Sequence, residues 1–305
     1  MSQDRISVVM ATCNGAAHLA EQLASLSRQS HSDWRLFVSD DGSTDATRDM
    51  VRDFARHHDV TLVEGPRKGA AANFLSALCH PDLPPGPVAL ADQDDIWFPG
   101  KLARGLRRIQ AAGADGHPVL YAAESTLADA EGRPFRITRA GARAHPGFAP
   151  SLAQNLFGGH TMMFNAQALG LVRAAGPQEK VVFHDWWIYQ LVAGAGGRLH
   201  LDPLPMALYR LHGRNVFGTS GLAGAAARLQ RVLQGRWRHE MQAHALALQG
   251  VAHLLAPAQA EILRGFLAAP TWGPGRVARL RRLGIRRSSA GGTLLLQGAA
   301  LLGLV

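Results

Sequence analysis

Val88-Ala89-Leu90-Ala91-Asp92-Gln93-Asp94-Asp95 runs from four apolar residues straight into three carboxylates within four positions. A short apolar run bounded this way reads as a buried strand, with the acidic residues at its carboxyl end. Two earlier stretches share the pattern. Ile6 to Ala11 is apolar and β-branched and opens onto Thr12-Cys13-Asn14-Gly15, while Trp34 to Val38 opens onto Ser39-Asp40-Asp41-Gly42-Ser43. Between them the period becomes helical: Leu19, Leu23 and Leu26 recur in a segment ending near Gln29. Thr44 is the expected N-cap of a helix reaching His57, with Met50, Val51 and Phe54 inward. Val60 to Val63 reads as a third strand, Ala70 to Cys79 as a helix, and Pro81 to Pro87 as a proline-rich loop. This alternation predicts an α/β fold with a mostly parallel central sheet and helices on both faces. Ligands of such sheets bind beyond the carboxyl ends of the strands. The polar clusters 12–15, 40–45 and 92–95 should therefore converge on one crevice.

The rest of the chain is less regular. Val119 to Ala123 reads as another strand, 129–150 as an irregular loop rich in Gly, Pro and Arg, and 222–267 as helical. Gly291 to Val305 is apolar apart from Gln297. A helix of that length spans about 22 Å, short of the roughly 30 Å hydrocarbon core of a bilayer.

Composition narrows the class. A chain of 305 residues with 47% hydrophobic and 18% charged residues is neither disordered nor a polytopic membrane protein. Its two cysteines, Cys13 and Cys79, exclude a disulfide scaffold and a cysteine zinc cluster. No secretory signal is read at the start, where Asp4 precedes a short apolar run, so the expected compartment is the cytoplasm. The net charge is +9, and seven of the arginines behind it (Arg264, Arg276, Arg279, Arg281, Arg282, Arg286 and Arg287) follow Glu261, the last acidic residue. A basic excess confined to the tail argues against nucleic acid and for a local anionic partner. The expectation is peripheral contact with the inner face of the cell membrane, without spanning it; a final helix packed on the protein is the alternative.

Five clusters could carry chemistry. The 12–15 turn lacks both G-x-G-x-x-G and the P-loop pattern, which disfavours a nicotinamide dehydrogenase or a P-loop ATPase. Asp40-Asp41 can accept hydrogen bonds from a base or ribose, or can serve a turn. Asp92, Asp94 and Asp95 at a sheet end suit a hard divalent cation, Mg²⁺ or Mn²⁺, held by carboxylates and substrate phosphates, or form a solvated acidic turn. Phe183-His184-Asp185-Trp186-Trp187 sets a carboxylate among aromatics, as a general base or a helix-capping residue. In Tyr209-Arg210-Leu211-His212-Gly213-Arg214-Asn215, His212 can ligate a metal and the arginines can face phosphates, or the segment is structural.

Taken in order, these blocks resemble the family 2 glycosyltransferases, inverting enzymes of GT-A fold. The resemblance covers residues 5–217: Val8 to Gly15, Val38 to Asp45, and Asp92-Gln93-Asp94-Asp95-Ile96-Trp97 followed by Pro99, Lys101 and Leu102. The 184–187 and 209–215 segments are similar to later motifs of the rhamnosyltransferase-like branch. The resemblance implies that Thr12, Cys13, Asn14, Asp40, Asp41 and Asp92 bind nucleotide, that Asp94 and Asp92 with His212 bind metal, and that Asp185 is the catalytic base. Cys13 stands where many members carry a base-stacking Tyr, and Lys68 and Asn73 lie where many place an Arg. Residues 1–217 would form the GT-A domain, its nucleotide-binding half spanning 1–110 and its acceptor half 111–217, with 218–305 a helical, basic extension. The implied activity moves a sugar, L-rhamnose the favoured one, from a nucleoside diphosphate to a glycan or lipid-linked saccharide in cell-surface polysaccharide synthesis. A sugar nucleotidyltransferase and a non-catalytic carbohydrate-binding protein are the alternatives. The first would carry a Gly-rich basic loop after the first strand, absent here, and the second has no use for the retained acidic set.

Overall fold

The computed structural model describes residues 4–138, 144–211, 230 and 232–305. The amino-terminal part alternates strand and helix: β1 (Ile6–Thr12), α1 (Ala16–Ser27), β2 (Trp34–Asp40), α2 (Thr47–Phe54), β3 (Val60–Glu64), α3 (Ala70–Cys79) and β4 (Val88–Ala91). Then come β5 (Ile96–Trp97), α4 (Lys101–Gly113), β6 (Val119–Ala128), β7 (Pro134–Ile137), α5 (Phe148–Ser151), a 3-10 turn at Gly159–Thr161, β8 (Met163–Phe164), α6 (Ala166–Ala175), α7 (His184–Gly194) and β9 (Arg198–Arg210). The described chain closes with α8 (Arg236–Gly250), α9 (Pro257–Leu267), α10 (Gly273–Arg282) and α11 (Ala290–Leu301).

Among the described residues, the nine strands form one sheet in the order β3-β2-β1-β4-β8-β6-β9-β5, with β7 added on β6. The expected parallel pairing holds across β3, β2, β1 and β4. Beyond β4 the sheet is mixed: β8 runs antiparallel to β4 and β6, whereas β6 and β9 are parallel. Helices cover both faces. Leu19, Leu23 and Leu26 of α1 are buried on one face with Val8, Met10 and Leu36, each contributing about 1.5–3 kcal/mol of burial. On the other, α3, α6 and α7 share a core with α8 to α11.

Three local expectations change. Thr44 does not cap α2; its N–H goes to Asn14 Oδ1 (2.8 Å), and Asp45 Oδ1 accepts the Thr47 N–H (3.0 Å) instead. The 129–150 loop contains β7, which is exposed along its length and so lacks the alternating burial that marks a strand. The helical 222–267 segment divides between Gly250 and Pro257 into α8 and α9, with a 3-10 turn at Ala252–Leu254 in the break, and its residues 222–229 and 231 lie outside the described residues.

Candidate active site

The carboxyl ends of β1, β2 and β4 open into a cleft of about 1930 Å³ that also reaches β6 and the start of α7. Parallel pairing sets Thr12 beside Asp40. That brings the first two polar turns together, and hydrogen bonds fix them. Asn14 adopts a left-handed conformation (φ 49°), its N–H donating to Ser43 Oγ at 2.8 Å. The N–H groups of Gly15 and Ala16 donate to Thr47 Oγ1 (2.8 Å) and Asp45 Oδ2 (3.1 Å).

Asp40 and Asp41 part company here. Asp40 is fully buried and accepts from Thr12 Oγ1 (2.8 Å) and from Ser43 N (2.9 Å) and Oγ (2.6 Å). It braces the turn and does not line the cleft. Asp41 lines it. Its oxygens accept the Arg67 N–H (2.6 Å) and the Gly69 N–H (2.7 Å), which draws the 65–69 loop over the strand ends. Gly69 at φ +88° serves that turn, a backbone region that favours glycine. Of the two residues read on the third-strand segment, Lys68 pairs with Glu179 at 2.9 Å, and Asn73 is buried, donating to the Ser39 carbonyl (2.8 Å).

Gln93 locks the acidic turn to the first turn. Its Oε1 accepts the Cys13 N–H (2.9 Å) and its Nε2 donates to the Cys13 carbonyl (3.1 Å). The fit leaves no room at Gly15, where a Cβ would lie 2.2 Å from Gln93 Oε1.

The acidic turn concentrates charge. Burial first, then the neighbouring Asp94 and Asp185, push the Asp92 carboxyl up to about 7, with Lys101 opposing. Asp95 is 1% exposed, and neither oxygen makes a hydrogen bond of ordinary length. Burial, then Asp92 and Asp94, raise it well above the usual carboxylate range, against Lys101 and the Arg210 backbone N–H. Lys101 is itself fully buried, donating Nζ to the His160 carbonyl and lying 3.2 Å from the Trp97 ring centre. Burial holds its ammonium well below the usual lysine range, while Asp95 and Asp92 pull it back up.

Asp92, Asp95 and His160 place one ligand atom each within 4.8 Å of one another. Burial, and secondarily Lys101, lower His160 to about 3, so it is a neutral imidazole. Two carboxylates and a neutral imidazole suit a divalent cation, and the buried oxygens of Asp95, which make no hydrogen bond of ordinary length, are placed to be its ligands. The expected ligands are distributed differently: Asp94 lines the cleft but is not in this group, and His212 lies outside the described residues. His160 follows a Gly158-Gly159 pair in a segment without sequence periodicity, so nothing in the chain marks it.

Asp185 faces this group from the first turn of α7. Its Oδ2 accepts the Gly159 N–H (3.1 Å) and its Oδ1 the Trp186 N–H (2.7 Å). Those two bonds fix the plane of the carboxylate and leave lone pairs on both oxygens. Beside it His184 stacks on Phe74, ring centres 4.0 Å apart. Burial lowers His184, with Asp185 opposing. Behind it His244 of α8, fully buried, accepts the N–H groups of Val182 and Phe183 on Nε2 (both 3.3 Å). Its Nδ1 must then carry the proton and donate to Gln190 Oε1 (2.9 Å). Arg210 crosses from β9 to the Asp94 carbonyl (3.3 Å), the Ala130 carbonyl (2.8 Å) and Glu21.

A sheet whose strand ends gather an acidic turn opposite a helix-borne carboxylate is the architecture of GT-A glycosyltransferases, and solved structures of that class superpose on most of the chain. Staphylococcus aureus TarS with UDP-GlcNAc aligns at TM-score 0.53 and 15% identity, over 92% of this chain and 93% of that one. The mannosyltransferase PcManGT of Pyrobaculum calidifontis, in complex with GDP-Man and Mn²⁺, aligns at TM-score 0.52 and 21% identity, over 92% and 86%. Residues 7–166 match the model of Glycosyl transferase family 2, and the chain belongs to that family. Among curated relatives, the dTDP-rhamnosyl transferase RfbG of Shigella flexneri is 25% identical over 75% of this chain and 80% of its own length. The UDP-Glc:alpha-D-GlcNAc-diphosphoundecaprenol beta-1,3-glucosyltransferase WfgD of Escherichia coli is 33% identical over 32% of this chain and 38% of its own.

Proposed function

We propose that this family 2 glycosyltransferase inverts the anomeric centre of a nucleoside-diphosphate sugar as it transfers the sugar to a hydroxyl of a glycan or lipid-linked saccharide. The carrying observation is that Asp41 after β2, Asp92 and Asp94 in the turn after β4, and Asp185 on α7 line one cleft. In this reading the 12–14 turn and Asp41 hold the nucleoside. Asp92 and Asp94, with Asp95, His160 and His212 as further candidates, hold Mg²⁺ or Mn²⁺. When bound, the ion stabilises negative charge on the departing diphosphate. Asp185, oriented by the Gly159 and Trp186 N–H groups, takes the proton of the acceptor hydroxyl as that oxygen attacks the anomeric carbon from the face opposite the leaving diphosphate. One displacement inverts the centre, and the chain needs no nucleophile of its own.

The donor we favour is a deoxythymidine diphosphate sugar, L-rhamnose above others. The motifs at 184–187 and 209–215 and the similarity to the rhamnosyl transferase RfbG support it. Screening nucleotide sugars for donor hydrolysis with Mg²⁺, Mn²⁺ or chelator tests the reading. The expected result is metal-dependent hydrolysis of a dTDP sugar, abolished in Asp94→Ala and severely reduced in Asp92→Ala. Unchanged turnover of Asp94→Ala in chelator removes the metal assignment.

A further inference from the structure

The last two helices carry a surface that the transfer reaction does not use. α11 buries Leu296, Ala299 and Ala300 in the shared core. Its other face presents Leu294 and Leu295 and, two turns on, Leu301 and Leu302, spaced i, i+1, i+7 and i+8 on a single stripe. Leu294 is 68% exposed and Leu302 73%. Trp272, 69% exposed, stands at the end of that stripe, its Cβ 3.3 Å from where a Cβ on Gly303 would lie. A stripe of large exposed apolar residues on a helix that already has a buried face marks a contact with something else.

The charge around it says what. Of the tail arginines, Arg264 pairs with Glu261 and Arg279 is half-buried, and the other five fall into two sets. Arg276 is buried, donating to the Phe266 carbonyl (3.0 Å), and Arg287 donates to the Ala153 carbonyl (3.2 Å) and lies over the Trp237 ring. Both serve the protein itself. Arg281, Arg282 and Arg286 are exposed, and Arg281 reaches α11 through Gln297 Oε1 (2.7 Å), which sets it along the edge of the leucine stripe. No acidic residue follows Glu261 in the chain, so the segment that carries them is purely basic. α11 is also too short to cross a bilayer, and no described helix is long and apolar enough to do so.

The geometry points to a peripheral docking face for an anionic lipid bilayer, the leucines and Trp272 lying at the interface and the exposed arginines on its headgroups. The segment that leads into α11 is tied to the rim of the cleft. Ser288, just before α11, and Gln154, which lines the cleft, bond reciprocally: Ser288 N to Gln154 Oε1 at 2.9 Å and Gln154 Nε2 to Ser288 Oγ at 3.0 Å. Docking thus sets one edge of the cleft close to the membrane plane, where an acceptor on a lipid carrier would present its sugar. That consequence rests on the transfer reading; the docking does not.

Flotation of the full chain with vesicles tests it. The wild type is expected to float with phosphatidylglycerol-containing vesicles at low salt, less at high salt, and weakly with pure phosphatidylcholine. Arg282→Gln combined with Arg286→Gln should weaken binding about 30-fold, two arginines at about 1 kcal/mol each. Leu294→Gln combined with Leu302→Gln should lower binding at both salt concentrations. All four positions are exposed, so circular dichroism and thermal unfolding should not change. Wild-type binding that neither pair reduces overturns the proposal, as does failure of the wild type to bind. A dimer in solution that the leucine pair dissociates would give the face to a second copy and equally overturn it.

Discussion

At the scale of single residues, adjacent carboxylates with the same side chain do different work because the backbone aims them differently. Asp40 and Asp41 are neighbours, yet one is spent on Thr12 and Ser43 inside the turn and the other holds the 65–69 loop at the cleft. The sequence makes the pair visible without saying which member faces out. Asp185 is the position where the proposed chemistry is sharpest. Asp185→Asn keeps an oxygen for one of the two N–H donors and removes the base. It should lower turnover by a factor on the order of 10² or more while donor affinity by calorimetry stays nearly unchanged. Loss of donor binding with normal turnover per bound donor would make Asp185 a donor ligand. Gly15 offers an independent test of the nucleotide turn. A methyl there meets the Gln93 amide, so Gly15→Ala should displace Gln93 from Cys13 and loosen both turns. The expected effect is a donor KM raised about tenfold, the equivalent of about 1.4 kcal/mol, with kcat affected less. An unchanged KM would show that the Gln93 bridge is dispensable for donor binding.

At the scale of elements, what can be read from the chain follows burial. β1, β2 and β4 are buried almost throughout, and their mostly apolar runs, broken only by Ser7 in β1 and Arg35 in β2 before the polar ends, announce them. β5 and β8 are two residues long and show no period at all. β9 carries Pro203 and Pro205, and its register against β6 shifts around Glu124, so a long strand reads as broken chain. The same limit applies to the site. Asp41, Asp92, Asp94 and Asp185 lie in recognisable blocks and line the cleft, but His160 and His244 are lone histidines whose roles come only from tertiary contact. His244 joins α8 to the entry of α7, which makes it a positioning residue for Asp185 two and three residues further on. His244→Ala leaves the Val182 and Phe183 N–H groups and Gln190 Oε1 without their partner, each such loss costing about 1–3 kcal/mol. The entry of α7 should shift and kcat fall about tenfold, since misplacing a reacting group by an ångström can cost more than that. Donor KM should hold. His244→Gln retains an acceptor and should recover much of the rate. Equal rates for the two variants would assign His244 to stability alone.

At the scale of the whole molecule, the carboxyl-terminal helices are part of the same core as α3, α6 and α7. Trp237, Met241, Leu248, Phe266 and Leu296 are buried in one cluster with Trp186, Trp187 and Phe157. Residues of the sheet and of the tail should therefore melt together, and calorimetry of the full chain should show a single transition. His244 gives that shared core a pH dependence that can be isolated. Burial holds its folded pKa near 3, against an ordinary 6.5. Above pH 6.5 the imidazole is neutral in both states and contributes no pH dependence. As pH falls below 6.5 the unfolded chain takes up a proton that the folded chain refuses. Stability is then lost at about 1.4 kcal/mol per pH unit until the folded value is reached. Asp92 runs the other way, because a carboxyl raised to about 7 binds its proton in the folded state first. Asp92 and Asp95 oppose His244 in the wild type and His160 adds to it, so the informative quantity is a difference. His244→Gln cannot take up that proton, whereas its Asp92 is unaltered. The stability of the wild type minus that of His244→Gln, from denaturant titrations at a series of pH values, should be flat above pH 6.5 and decline steadily from pH 6 to pH 4. A difference that stays level over that range would mean that His244 accepts its proton inside the core and that the Nε2 bonds to Val182 and Phe183 do not hold it neutral.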